Sequence, residues 1–435
     1  MRRSSAAIAV LAAGAVLAGV VASAADWPQW RGPSRAGVTA EPSGHPEGWP
    51  PERLWARNVG AGCTSPVIGG DAVYVLGYDG PKDHRRDRGK DILRCLDLRS
   101  GDVRWQRAYP SRWQGRHRRG DTGRYGGPNA TPTYDPDTGY LYTVSIDGRL
   151  HCWNTRKKGE PVWNLSFYDE YEVPQRPDAG GGRRDYGYAT SPLIHGDALI
   201  VEVGSPARGT LMAFDKRTGK PLWGSQYKEP AGHTSGPVLL TAEGVPCVAN
   251  LALRHLVVVR IDKGHEGETI AKIPWQTHFA NNTPTPAVID NRVIVTSSYN
   301  ISRTAMFEIS LKGAERLWIT RSHAKVGSPV VHGGRVFLVH GKLRCLNVAD
   351  GEEIWSGGRF DHGTCLVTGD DKVIAFGRGD VALVDAAADE YRELSRVRGV
   401  VRDVCYPHVT LGHGVLLCKD RGGQLVAFGV SAEKE

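Results

Sequence analysis

SPVVHGGRVFLVHGKLRCLNVADGEEIW, residues Ser328 to Trp355, is one complete repeating unit with almost nothing inserted. Pro329 to Val331 is a short apolar run that stops at the turn signal Gly333-Gly334. Arg335 to His340 alternates with period two, Val336 and Leu338 on one face, Phe337 and Val339 on the other, which predicts a strand. Gly341-Lys342 turns the chain into Leu343 to Asn347, a second alternating run, so the two form a hairpin. Ala349-Asp350-Gly351 then delivers a last short strand that ends at Trp355. Four short antiparallel strands in so few residues cannot bury both faces of their sheet, so the unit needs copies of itself on either side.

The copies are present. With an opening Ser/Thr-Pro and a closing Trp as landmarks, they run from Ser65-Pro66 to Trp105, Thr131-Pro132 to Trp163, Ser191-Pro192 to Trp223, Gly236-Pro237 to Trp275 and Thr285-Pro286 to Trp318. Two more are degraded. Gly363-Thr364-Cys365 to Ser395 lacks the Trp, and Pro407 to Val430 stops before its fourth strand. Leu54-Trp55-Ala56-Arg57 is a closing strand with no unit before it, so it is expected to complete the last unit. The predicted fold is therefore all-β, an eight-bladed β-propeller whose ring is closed by an N-terminal strand, without open sheet edges. The Trp residues are expected to wedge between neighbouring blades. Ala386 to Leu394 has helical propensity, yet its place in the repeat predicts a turn and a poor outer strand.

Met1-Arg2-Arg3, the apolar Ala6 to Val21 and Ala22-Ser23-Ala24-Ala25 have the layout of a secretory signal peptide over residues 1–25, which predicts a periplasmic or secreted protein. The Arg pair leaves Sec and twin-arginine export both open. Removing Arg2 and Arg3 takes the formal charge from +8 to +6. No later segment is long and apolar enough for a membrane span. The arm 26–52 carries Trp27 and Trp30, expected to pack on the outside of the ring; the propeller is placed at 53–430 and a tail at 431–435. A ring of repeats needs no second domain despite 435 residues.

Export permits disulfides. Cys95, Cys152 and Cys345 occupy one place in their units and read as small buried strand residues. Cys63 and Cys405 lie in loops entering the neighbouring blades one and eight, and a disulfide between them near the ring closure is expected. The chain carries no haem-type C-x-x-C-H, zinc-type cysteine pair, G-x-S-x-G elbow or phosphate-binding P-loop.

Loops that enter the innermost strands converge at one mouth of a propeller. Here they offer Arg124, Tyr125, Asn129, Thr131, Asp185, Tyr186, Tyr188, Thr190, His233, Asn281, Asn282, His362 and His408, a set suited to hydrogen bonding and stacking against a polar ligand. The Ser and Thr residues also read as turn caps. His233, His362 and His408 enter different blades, so no metal site is expected from them. The long insertions Gly77–Asp91, Gln106–Gly123 and Ser166–Arg184 are rich in Arg, which suits an anionic glycan or an acidic protein, and suits solvated loops equally.

The repeat, with its L-x-C/A-x-D/N, turn and Trp, resembles the pyrroloquinoline-quinone-type (PQQ-type) propeller repeat. The D-W-P-Q-W-R-G-P opening, G-P-N-A-T-P-T and Y-G-Y-A-T-S-P are similar to exported bacterial quinoprotein-like propellers of the planctomycete kind. Relatives in that family include quinone-dependent alcohol dehydrogenases and the propeller lipoprotein of the outer-membrane β-barrel assembly machinery. The resemblance implies either a quinone (PQQ)- and calcium-dependent oxidoreductase or a binding scaffold for a polar ligand or protein partner. The dehydrogenases carry adjacent cysteines over the quinone and acidic calcium ligands. This chain has no adjacent cysteines, and Asp185, Asp361 and Asp403 match a catalytic Asp by position alone. The lipidated Cys of the assembly protein is absent as well. A monomeric binding module without cofactor is the expectation; a carbohydrate-active propeller is the third alternative, although two catalytic carboxylates cannot be picked out.

Overall fold

The computed structural model describes residues 25–82, 89–113, 126–174, 187–279 and 281–430. The opening unit folds as read. Val330–His332 pairs with Arg335–Phe337, and Leu343–Leu346 pairs with Glu353–Gly357, so the continuous run Arg335–Asn347 is a hairpin bent at Gly341, whose φ is 69°. This is blade 6. Blade 1 spans Val67–Gly69 to Val103–Ser111, blade 2 Thr133–Asp135 to Glu160–Ser166, blade 3 Leu193–His195 to Pro221–Gly224 and blade 4 Val238–Ala242 to Thr269–Pro274. Blade 5 spans Ala287–Ile289 to Gly313–Thr320, and blade 7 Thr364–Val367 to Glu393–Val397. Blade 8 supplies Thr410–Gly412, Val415–Lys419 and Gln424–Gly429, and Glu52–Asn58 adds antiparallel to Gln424–Gly429 as its outer strand. The eight four-stranded blades form a closed ring. Ala386–Arg392 is a turn ahead of the strand Glu393–Val397.

Every outer strand carries a β-bulge at the same place, one residue before the side chain that faces the next blade. Leu54, Arg104, Val162, Leu222, Ile270, Leu317, Ile354 and Leu394 are the extra residues. A bulge re-aims the residue that follows it. At six of these places that residue is Trp, opposite a small partner: Trp105 faces Cys95, Trp163 faces Cys152, and Trp355 faces Cys345. The indole then lies on the last turn of the following blade. Trp55 Nε1 donates to Leu98 O at 3.0 Å, and Trp318 Nε1 to Val348 O at 2.9 Å. A Cβ at Gly101, where φ is 70°, would sit 2.5 Å from the Trp55 ring, which explains the Gly in that turn. Blade 7 has Ser395 at this place and blade 4 has Ala271. Trp275 follows the end of its strand and bonds Ser297 Oγ at 3.0 Å, so the landmark Trp of unit 4 is four residues out of register with the others.

The opening Ser/Thr residues tie blades together as well. Ser65 N donates to Thr131 Oγ1, Thr131 N to Ser191 Oγ and Thr285 N to Ser328 Oγ, each at 2.9 Å, and His408 N donates to Ser65 Oγ at 2.7 Å. These hydroxyls run around the channel and join one blade to the next.

The arm corrects one expectation. Trp27 and Trp30 do not pack outside the ring; the arm crosses the channel from within. Trp27 is 1% exposed, bridges Ile68 of blade 1 and stacks on His408. Tyr134 N of blade 2 donates to Pro28 O at 2.7 Å. Arg35 donates to Ser191 O and Pro192 O, at 2.9 and 2.6 Å, at the start of blade 3. Arg31 donates to the carbonyls of Pro286 and Pro329 ahead of blades 5 and 6. Val38 bridges Val367 of blade 7, and Glu41 accepts from the backbone N of His413 and Gly414 in blade 8. Burial removes water from both guanidinium groups and lowers their pKa, Arg31 to about 10 and Arg35 to about 9. An aromatic pair near a terminus reads as a surface anchor in one dimension; the unfilled channel is the larger apolar hole to close.

The thiols of Cys63 and Cys405 are free, without the expected bond. Cys405 is 2% exposed, and its Sγ accepts from Gly379 N at 3.2 Å, which holds it in blade 7 packing. Cys63 faces the channel mouth instead.

Candidate functional site: a cup closed by the N-terminal arm

The arm turns the channel into a cup. Trp30 Nε1 donates to Thr285 Oγ1 at 2.9 Å, and the indole packs edge-on against His408 at 5.5 Å. Above it, the loops entering the innermost strands surround a pocket that is open to solvent at the mouth. Two of the loops are joined to each other: His233 pairs with Asn281 and Thr234 with Asn282 in a short parallel ladder outside the blades. This ladder fixes the wall over blades 4 and 5.

Asn129, His233 and Asn281 line the cavity, together with Cys63, Thr234, Ser235, Thr283, Tyr299, Lys325 and Tyr406. Among the described lining residues Lys325 is the only Lys, Arg, Asp or Glu. His233 is kept neutral by burial, which lowers its pKa to about 4. Behind the wall, Glu202 of blade 3 accepts the hydroxyls of Thr190, at 2.9 Å, and Thr234. Loss of water raises its pKa to about 7, against the opposing pull of the two hydroxyls.

The remaining residues named from the sequence lie elsewhere. Thr131 and Thr190 are buried behind the lining, in the blade-to-blade hydrogen bonds. Asn282 is fully buried and donates to the carbonyls of Ala252, Leu253 and Trp275. Tyr188 packs on Phe167 and donates to Val203 O at 2.8 Å. His408 sits under Trp30, and burial lowers its pKa to about 3. His362 stacks on His340 at 5.0 Å on the rim, with their Nδ1 atoms 3.2 Å apart. Arg124, Tyr125, Asp185 and Tyr186 lie outside the described residues, as do Arg85, Arg86, Arg88, Arg116, Arg118, Arg119, Arg183 and Arg184. Among the described residues no three His, Cys, Asp or Glu side chains are placed to hold a metal ion.

Trp30 and Tyr299 escaped the sequence reading for different reasons. Trp30 precedes the ring, and no local pattern says where the arm crosses. Tyr299 follows the strand Arg292–Ser297 in a left-handed turn, with φ 61°, in the loop between the second and third strands of blade 5, at the same end as the landmark Thr285. A non-Gly residue held there was a usable signal only once its φ was known.

The model of the family described as outer membrane protein assembly factor BamB matches residues 88–357. None of the curated proteins matches the chain. Among solved structures, BamB from Moraxella catarrhalis aligns with a TM-score of 0.58 at 13% identity, covering 87% of this chain and 99% of that one. Quinohemoprotein alcohol dehydrogenase from Comamonas testosteroni aligns with a TM-score of 0.64 at 11% identity, covering 96% and 82%. The computationally designed Ika8 protein aligns with a TM-score of 0.57 at 10% identity, covering 87% and 99%. At these identities the likeness is one of fold.

Proposed function

We propose, from the premise that this chain belongs to the BamB family of PQQ-type propellers, that it is an exported binding module whose cup takes a small polar ligand. The observation that carries this is the Trp30 floor: a channel plugged on one side and left open on the other, with a few Asn, Thr, Tyr and Lys side chains set in a mostly apolar lining, is built to hold something. Amides, hydroxyls, tyrosines and a neutral imidazole supply directional hydrogen bonds without a reactive group. Export rests on the basic head and apolar run of residues 1–25, and no described helix is long and apolar enough to cross a membrane. A thermal-shift screen over polar ligands tests the reading. Hits must raise the melting temperature of the wild-type protein and lose that effect in Thr283→Trp, which places an indole at a partly exposed lining position.

The quinone-dependent alternative fits the residues poorly. Among the described residues Cys63 is the only cysteine lining the cup and no carboxylate lines it to ligate calcium, and the sequence holds no adjacent cysteine pair to cover a quinone. Glu202 is spent on Thr190 and Thr234, and Asp403 is paired with Arg421 at 3.0 Å. Quinone absorbance or dye-linked dehydrogenase activity on adding quinone and Ca²⁺ would restore that alternative.

A protein partner is the second reading, favoured by the bulges. They leave Leu54, Val162, Leu222, Leu317 and Ile354 exposed, between 37% and 52%, on the outer strands of five blades. Aliphatic side chains held out at a repeated place suit a docking protein. Pull-down from an envelope extract that survives Leu222→Ser and Leu317→Ser would remove this reading.

A further inference from the structure

One wall of the cup has a polarity of its own. Lys325 Nζ lies 5.2 Å from the centroid of the Tyr299 ring. Asn281 Nδ2 donates to the phenol oxygen of the same Tyr299 at 3.1 Å. The other end of that amide, Asn281 Oδ1, is buried and has no hydrogen-bond partner among the described residues. An ammonium, an aromatic ring and an unfilled acceptor therefore follow one another along a single surface.

The next side chain continues the pattern. Thr234 uses its hydroxyl hydrogen on Glu202, so toward the cup it can only accept. A buried acceptor left unfilled is costly, so the wall favours a ligand that brings O–H donors. Lys325, the one ionic residue among the described lining residues, favours an anionic group beside those donors and opposes a cation. Trp30 and the tyrosines Tyr299 and Tyr406 add apolar ring surface.

An ordinary sugar brings the donors and the C–H faces but no charge. A simple carboxylic acid brings the charge without the donors. A hexuronate has both on one six-membered ring, its carboxylate on one side and vicinal hydroxyls on the other. We propose that the cup binds the uronic acid residue of an acidic glycan, with the carboxylate on Lys325 and ring hydroxyls donated to Asn281 Oδ1 and Thr234 Oγ1. This assignment rests on the cup being the ligand site.

The test titrates the mature chain with glucuronate, galacturonate and their short oligosaccharides, against glucose and galactose, by calorimetry and tryptophan fluorescence. Uronates are expected to bind at least about tenfold tighter than the neutral sugars, a difference of about 1.4 kcal/mol. Lys325→Met is expected to erase that preference while sparing neutral-sugar binding, and Asn281→Leu to weaken both. Equal binding of neutral and acidic sugars overturns the assignment. So does a uronate preference that survives Lys325→Met and disappears when Arg116, Arg118 and Arg119 are neutralised. Oligosaccharides that bind where the monosaccharides do not, with the preference still dependent on Lys325, support a chain-borne uronate. If no sugar binds while benzoate-type acids perturb wild type but not Thr283→Trp, the uronate assignment falls and the cup stands. If neither class binds, both fall.

Discussion

Arg35 occupies the space that a side chain at position 236 would need: a Cβ on Gly236 would meet Arg35 Nη2 at 2.6 Å. Gly236 is the landmark position at which the fourth unit departs from Ser/Thr. The guanidinium that fills the gap donates to Ser191 O and Pro192 O. The irregular residue in the repeat is thus the imprint of the arm. Gly236→Ser is expected to destabilise the protein by about 1–3 kcal/mol through overpacking, and Arg35→Ala by a similar amount through the stranded carbonyls. Combined, they should cost clearly less than their sum, because each removes the reason for the other's penalty. Additive losses in urea denaturation would disprove the coupling.

Ring closure depends on Trp55. Its indole is 6% exposed and caps the blade 8 to blade 1 junction through Leu98 O. Trp55→Ala should cost about 3–5 kcal/mol. The exposed edge of Gln424–Gly429 should then promote concentration-dependent aggregation, read by light scattering. Loss of stability under about 1 kcal/mol would show that the strand is not a structural closure.

Lys216 and Asp135 form an ion pair at 2.9 Å across blades 3 and 2, with side chains 5% and 4% exposed. Removing one partner leaves a buried charge alone, so Lys216→Met is expected to cost about 3–5 kcal/mol. Lys216→Met with Asp135→Leu should recover most of it. A double variant no better than the single one would count against this account.

Stability should be bell-shaped in pH. His233 and His408 have folded pKa values of about 4 and about 3, below the unfolded 6.5, so the unfolded chain binds more protons in that window. Their contribution is present above about pH 6.5 and is lost as pH falls toward 4. Glu202 runs the other way. Its folded pKa of about 7 exceeds the unfolded 4.5, so its contribution is present below pH 4.5 and is lost as pH rises through 7. Asp91, buried and also raised, acts in the same sense. Glu202→Gln should flatten part of the alkaline limb in melting curves taken from pH 4 to 9; an unchanged limb would contradict the assignment.

Both thiols near the ring closure should alkylate, at different rates. Cys63 lines the cup, although burial raises its pKa to about 11, whereas Cys405 is packed against Gly379 with its pKa raised to about 12. Peptide mapping without reductant should find both free, with Cys63 modified first and protected by any ligand of the cup. A Cys63–Cys405 peptide would refute this.

The ring was legible in residues that repeat. Ser/Thr-Pro, Cys opposite Trp and the Gly of the last turn recur because each blade meets its neighbour through the same contacts, and a repeated contact leaves a repeated letter. Even the orphan strand at Trp55 could be assigned, since Val430 ends its unit one strand short. The mouth was legible in part: Asn129, His233 and Asn281 lie in loops whose place the repeat dictates. Asn282 follows Asn281 directly and turns inward, because neighbouring positions on an extended chain point to opposite sides, while Thr131 and Tyr188 are spent on Ser65 N and Val203 O.

By itself, then, the sequence determined the number of blades, their strand order and the closure, all of which follow from periodic burial. Only the tertiary structure decided that Trp30 floors the cup, that Arg31 and Arg35 brace the ring, and that Lys325, Tyr299 and Asn281 share a wall. Those contacts join residues from 18 to 298 positions apart that occur once, and a contact made once has no period to betray it.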